Sequence, residues 1–246
     1  MFSFFKSNNL SLEDIVGSLE VDLHSHLIFG IDDGAKTLED SLELISSLSE
    51  LGFKKLIMTP HTMLDAYPNT KETITEKFEV LKNEVALKNI PISLEVASEY
   101  YLDEGFEKHL NNKPLLINEE YLLFETSYMA KPINMEETIY NIASNGYKPL
   151  LAHPERYRYI KNLDNDYNRL KELGVYFQLD TNSMGGFYGK DALKKANYLI
   201  DNGMVDFVGS DTHNAKHISN LKSTMNNGKI WKRLFDKNRV LNSSLS

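Results

Sequence analysis

VDLHSHLIFGIDDGAKTLEDSLELI, residues 21–45, passes from one backbone periodicity to another within a single motif. VDLHSH reads as a strand, Val21–His26. From Thr37 the apolar residues Leu38, Leu42, Ile45 and Leu48 recur at helical spacing. Thr37-x-x-Asp40 is a capping-box-like start for a helix over Thr37–Leu51. The Gly-Ile-Asp-Asp-Gly segment between them, with Asp32 and Asp33, reads as a turn. Strand, turn and helix follow in the order of a βα unit.

The same unit recurs outward from this stretch. Further strand candidates are Lys55–His61, Ile92–Tyr100, Tyr121–Thr126, Pro149–His153, Val175–Thr181 and Val205–His213. Helical patterns lie between them. Thr70–Asn89 carries Ile74, Phe78, Leu81 and Val85. Asn134–Asn145, Leu163–Leu173 and Asp191–Asn202 stop at Gly146, Gly174 and Gly203, where a left-handed C′ residue belongs. About seven alternations predict a parallel sheet with right-handed crossovers. The strands are nearly continuous apolar runs, as in sheets covered on both faces. A closed or nearly closed α/β barrel fits best. An open doubly wound sheet fits less well, because no Gly-rich dinucleotide or phosphate loop follows any strand.

The chain has 246 residues and 41% hydrophobic content, enough for one large core. Residues 21–246 are expected to form a single barrel domain, with residues 1–20 as a loose N-terminal arm. That arm opens MFSFFKSNNL, whose phenylalanines hint at a contact. No apolar run approaches the roughly 20 residues that span a bilayer. No segment resembles a signal peptide. A cytoplasmic protein that does not itself span the membrane is the default expectation, and an oligomer is compatible with it.

Absence of cysteine excludes thiolate metal sites, disulfide scaffolds and cysteinyl-phosphate chemistry. The net charge of −8, with Lys and Arg scattered, disfavours nucleic acid as a partner.

Ionisable residues collect at the C-terminal ends of six of the seven predicted strands. They are His24 and His26, His61, Glu99, Glu125, His153 with Arg156, and Asp211 with His213. Barrel enzymes build their active sites at that rim. Residues i and i+2 on a strand share a face, about 7 Å apart. Two imidazoles so spaced can lean onto one ion, and Asp211/His213 repeats the spacing of His24/His26. Glu99 and Glu125 end apolar strands, where a carboxylate needs a partner or an ion. Arg156 could be a structural ion-pair partner, but its planar fork also suits phosphate. His109, in a polar stretch, and His217, in a C-terminal loop, read as solvated. Five histidines and three carboxylates, with Asp33 as a further candidate, exceed one mononuclear site. Two or three divalent ions are implied, and sulfur-free ligands suit Mn²⁺, Zn²⁺ or Fe.

At these residues the sequence resembles the polymerase and histidinol phosphatase (PHP) superfamily. Within it, the chain is most similar to the bacterial capsular-polysaccharide-type protein tyrosine phosphatases. The motifs are the opening stretch, MTPH (58–61), ASEYYL (97–102), LFET (123–126), PLLAHPERY (149–157), QLDTNSMGGFYG (178–189) and FVGSDTHN (207–214). The resemblance implies a PHP fold, a distorted seven-stranded (β/α)7 TIM-like barrel. It also implies a trinuclear site, usually manganese. One ion would take His24, His26, Glu99 and Asp211; a second, Glu99, Glu125 and His153; a third, Asp33, His61 and His213. Arg156 would hold phosphate, and Arg156, Asp211 and His213 would be the catalytic residues. The family often has QLNAGS and SDAHN where this chain has QLDTNS and SDTHN. Neither departure removes a ligand.

The expected reaction is metal-dependent hydrolysis of phosphotyrosine in a protein. The resemblance points to the Tyr-rich tail of a tyrosine autokinase that controls capsular or exopolysaccharide synthesis and export. Hydrolysis of histidinol phosphate or another small phosphomonoester is the alternative for the same fold. A PHP-type nuclease or a non-catalytic interaction module fits less well.

Overall fold

The computed structural model describes residues 9–246. The expected strands appear as nine shorter ones among these residues. They are β1 (Val21–Asp22), β2 (Lys55–Met58), β3 (His61–Thr62), β4 (Ser93–Val96), β5 (Glu99–Tyr101), β6 (Tyr121–Glu125), β7 (Lys148–Ala152), β8 (Tyr176–Asp180) and β9 (Phe207–Gly209). The pairings between these strands are parallel, in two sheets of order β1-β2-β4 and β3-β5-β6-β7-β8-β9. The architecture is an α/β fold with a curled parallel sheet.

Two expected strands are therefore broken. Thr59 and Pro60 separate β2 from β3, and proline has no N–H to give a ladder. The partner breaks opposite, at Ala97 and Ser98. Ala97 N–H donates to Met58 O at 2.8 Å and Glu99 N–H to Pro60 O at 3.1 Å, so the pairing resumes beyond the break. The first strand also ends early, at Asp22. An isolated parallel bridge pairs Ser25 with Thr212 and carries the chain past His24 and His26.

The crossovers follow the expected helices closely. In chain order the helices are α1 (Leu12–Leu19), α2 (Leu38–Glu50), α3 (Lys71–Leu87), α4 (Phe106–Asn111), α5 (Met135–Ser144), α6 (Leu163–Glu172), α7 (Thr181–Met184), α8 (Lys190–Asp201), α9 (Ala215–Met225) and α10 (Gly228–Lys237). The Thr37/Asp40 capping box is formed. The buried stripe of α2 is Ser41, Leu44, Ile45 and Leu48, so Leu38 and Leu42 sit at its margin. Gly146, Gly174 and Gly203 all have positive φ.

Residues 1–8 of the expected arm lie outside the described residues. Residues 12–19 form helix α1, capped by Ser11 and burying Ile15, Val16 and Leu19. Leu10 N–H reaches Gly228 O at the start of α10. No helix among the described residues is long and apolar enough to cross a membrane.

Strand alternation sorts the core into two clusters. Leu56, Met58, Leu122, Phe124, Leu151, Phe177 and Val208 pack with the helices. Ile57, Ala97, Leu123, Leu150, Ala152 and Phe207 pack with one another on the opposite face. Glu99 and Glu125 stand two residues beyond Ala97 and Leu123, so each continues that second face into a polar cluster.

Candidate metal centre

All nine residues expected as ligands come together. His24, His26 and Asp211 form one group of mutually close donor atoms. His24, Glu99 and His153 form a second; His61, Glu99 and Glu125 a third; and His26, Asp33, His61 and His213 a fourth. Glu99 is shared. Its Oε2 lies 3.3 Å from His24 Nε2, 3.4 Å from His26 Nε2 and 3.1 Å from His61 Nδ1. Its Oε1 lies 3.0 Å from His153 Nε2.

His24, His26, Glu99, Glu125, His153 and Asp211 are almost wholly buried. The cluster opens to solvent on the side of Asp33, whose carboxylate is half exposed. The expectation that Asp211 and His213 share one face is corrected. Asp211 has φ of +48°, which breaks the strand alternation. Asp211 therefore faces His24 and His26, while His213 Nε2 faces Asp33 at 3.3 Å. His153 is also left-handed, at φ +34°. Two non-glycine residues in that region within one site mark backbone held there by its surroundings.

Three imidazoles are oriented from behind. His24 Nδ1 donates to Gln178 Oε1 at 2.8 Å, an oxygen that also accepts from His153 N–H. His26 Nδ1 donates to Asp32 Oδ2 at 2.8 Å. His213 Nδ1 donates to Asp211 O at 2.9 Å. Carboxylate and carbonyl oxygens only accept, so Nδ1 carries a proton and Nε2 is the atom left to face inward toward a metal. This is how metal-ligating histidines are usually supported. Two glycines make room for it. A Cβ on Gly34 would lie 2.0 Å from His26 O, and one on Gly209 would lie 2.6 Å from His24 Cβ.

Charge in the cluster is unbalanced. Burial opposes protonation of His24, but Glu99 and Asp211 outweigh it and hold its pKa above the usual value. His26 is raised well above it, where Asp32, Asp211 and Glu99 overcome burial. His61 is pushed up to about 10 against burial and His26, by Glu99 and Glu125. The carboxylates thus demand positive charge. His61 Nδ1 and Glu99 Oε2 are nevertheless buried without a well-aligned hydrogen-bond partner. Convergent imidazole and carboxylate atoms, buried polar atoms without aligned partners and a carboxylate excess fit divalent cations.

Beside the cluster, Arg156 donates from Nη1 to Asp211 Oδ2, and the same nitrogen lies 3.6 Å from Asp180 Oδ2. Its guanidinium is sandwiched between two rings, 4.8 Å from the Tyr128 centroid and 4.1 Å from that of Tyr188. Asp211 links both parts, since its Oδ1 faces His24 and His26.

Several functional neighbours escaped the sequence reading. Asp32 is an oriented acceptor as well as a turn residue. Gln178 and Asp180 lie in a motif that carried no assigned role. His217 is corrected: it lies on α9, half-buried, with Nδ1 donating to Asp211 O at 2.9 Å and its ring 5.3 Å from His213. His109 is half-buried on α4, 5.7 Å from the Tyr100 ring.

A family model described as "Capsular polysaccharide synthesis, CpsB/CapC" matches residues 20–233. The chain belongs to this family. Among CpsB/CapC relatives, it is 30% identical over 198 residues to tyrosine-protein phosphatase YwqE of Bacillus subtilis, covering 80% of this chain and 78% of YwqE. It is 31% identical over 204 residues to tyrosine-protein phosphatase CpsB of Streptococcus pneumoniae, covering 79% and 83%. Its fold superposes with a TM-score of 0.76 on a solved chain from work on B. subtilis YwqE and S. pneumoniae CpsB, described as unique metal-dependent tyrosine phosphatases. That match has 26% identity and covers 89% of this chain and 96% of the other.

Proposed function

We propose that this chain is a metal-dependent protein tyrosine phosphatase acting in capsular or exopolysaccharide synthesis. The observation that carries the reading is the buried His/Asp/Glu cluster joined through Asp211 to an arginine held between two tyrosine rings.

Three divalent ions, manganese foremost with iron or zinc compatible, would be held by the nine ligands. His24, His26, Glu99 and Asp211 would serve the first ion; Glu99, Glu125 and His153 the second; Asp33, His61 and His213 the third. Bound ions would supply Lewis acidity to the phosphoryl oxygens and acidity to an attacking water.

The protein's own groups do the rest. Arg156 engages its carboxylates through Nη1, which leaves Nε and Nη2 to orient phosphate. Asp211 fixes that guanidinium against the cluster. His213 presents Nε2 toward Asp33, on the more open side of the cluster. The substrate would be a phosphotyrosyl protein, the Tyr-rich tail of a tyrosine autokinase, met in the cytoplasm.

The seven-stranded barrel belongs to the same reading. The first strand pairs with β2, and the Ser25–Thr212 bridge joins it to the segment after β9. This supports a ring closed between first and last strands, with residues 21–246 as one domain.

Metal analysis with turnover of a phosphotyrosyl peptide tests the function. Chelation should abolish turnover and Mn²⁺ restore it. Turnover indifferent to chelator, or faster hydrolysis of histidinol phosphate than of the phosphopeptide, overturns the reading.

A further inference from the structure

A cavity of about 420 Å³ opens beside Arg156, lined by Tyr128, Met129, Arg156, Arg158, Tyr188 and Asp191. That volume lies within the roughly 300–1,000 Å³ of small-molecule sites. Its inner end is the Arg156 guanidinium between two tyrosine rings. The Tyr188 hydroxyl is buried there without a hydrogen-bond partner.

Arg158 belongs to the mouth. Arg158 follows Arg156 by two residues, across the extended Tyr157, and both arginines line the same cavity. Arg158 N–H donates to Tyr128 O at 2.7 Å, which anchors its backbone beside the cavity. Its side chain is exposed, and its side-chain polar contact is a long one from Nη1 to Met129 Sδ at 3.9 Å. Among the described residues no carboxylate lies within ion-pair distance of it. The acid on the cavity wall, Asp191, is already held by Lys195 Nζ at 2.6 Å. A chain of net charge −8 thus presents one uncompensated guanidinium beside its phosphate-facing arginine.

We propose that this cavity seats the phosphotyrosyl ring and that Arg158 binds the side-chain carboxylate of a residue next to the phosphotyrosine. The inference rests on the tyrosine phosphatase reading and adds a sequence preference to it. Phosphate on Arg156 directs the ring outward along Tyr128 and Tyr188. The peptide backbone then lies at the mouth, where a neighbouring Asp or Glu meets Arg158. Arg158 is a specificity residue and takes no part in the chemical step.

The test compares two phosphotyrosyl pentapeptides on the metal-loaded full chain, one with alanine and one with glutamate on both sides of phosphotyrosine. p-Nitrophenyl phosphate serves as a substrate without flanks. Wild type should favour the acidic peptide by about threefold to fivefold in kcat/KM, through KM, and lose the preference at high salt. Arg158→Ala should remove the preference and Arg158→Glu reverse it, read as the ratio of kcat/KM for the two peptides on each variant, with p-nitrophenyl phosphate turnover showing that the variant is still active. Equal rates for the two peptides with wild type, or a preference that survives Arg158→Ala, overturns the inference while leaving the phosphatase reading standing. No turnover of either peptide, alongside hydrolysis of p-nitrophenyl phosphate, overturns both.

Discussion

His26 Nδ1 donates a 2.8 Å hydrogen bond to Asp32 Oδ2. Asp32 also accepts from Gly34 N–H at 2.9 Å and His61 N–H at 3.2 Å. One carboxylate therefore fixes an imidazole, its own turn and the start of β3. Burial pushes the Asp32 carboxyl up, but His26 and these hydrogen bonds hold it below the usual carboxylate range. Removing such a supporting group usually weakens metal binding about 10- to 100-fold. Asp32→Ala should shift the metal titration of activity by about that factor and recover most turnover at saturating metal. An unchanged titration would show that His26 is oriented by its packing alone.

Arg156→Ala should leave metal content near wild type while lowering kcat/KM on the order of 10²- to 10³-fold, the scale of losing one preorganised charge-stabilising donor. Arg156→Lys should restore little, because an ammonium cannot stack between Tyr128 and Tyr188 while presenting two parallel donors. Elemental analysis beside kinetics separates this from damage to the cluster. Full activity in Arg156→Ala would remove its assigned role.

The rim was legible in sequence because strand ends are short-range facts. Ala97 to Glu99 and Leu123 to Glu125 are steps of two along apolar runs, and they need no knowledge of the partner strand. What stayed hidden depends on contacts across the fold. Gln178 orients His24 over 154 positions of sequence, and Tyr128 and Tyr188 meet only at Arg156. His217 looked solvated because nothing local reveals that α9 turns it toward Asp211. Pro60 carries a local signal for the split of β2 from β3 that reading Lys55–His61 as one strand passed over, whereas the matching break at Ser98 lies opposite it on the neighbouring strand. The left-handed Asp211, which sends His213 to a different group, has no sequence signal in a serine–aspartate–threonine run.

The metal-free protein should respond to pH through the same imidazoles. His61 is raised from its ordinary 6.5 to about 10 because Glu99 and Glu125 outweigh burial and His26. The folded state then binds more protons than the unfolded chain between those values. Its contribution to stability is complete below pH 6.5 and lost as pH rises through 10. Chelated protein should therefore melt at a lower temperature at pH 9 than at pH 6.5. Metal uptake at pH 7.5 should release protons, seen as calorimetric heats that change with buffer ionisation enthalpy. Buffer-independent heats would contradict the charge balance inferred for the cluster.

Two carboxylates flank the Arg156 guanidinium, and they should behave differently. Asp211 is held well below the usual carboxylate range, because His213 and His24 outweigh its burial. Asp180 is raised well above that range by burial and by the charge of Asp211. Its Oδ1 accepts from Asn182 N–H at 2.7 Å, while Oδ2 lacks a hydrogen-bond partner. A neutral Asp180 is closely mimicked by asparagine, whose amide oxygen can keep the bond to Asn182. Asp180→Asn should therefore retain kcat/KM within about fivefold, a barrier change of roughly 1 kcal/mol. Asp211→Asn removes a charge that faces His24, His26 and Arg156 together, and should lose on the order of 10²-fold or more. Comparable losses in the two variants would mean that Asp180 is ionised in the working enzyme and shares the arginine with Asp211.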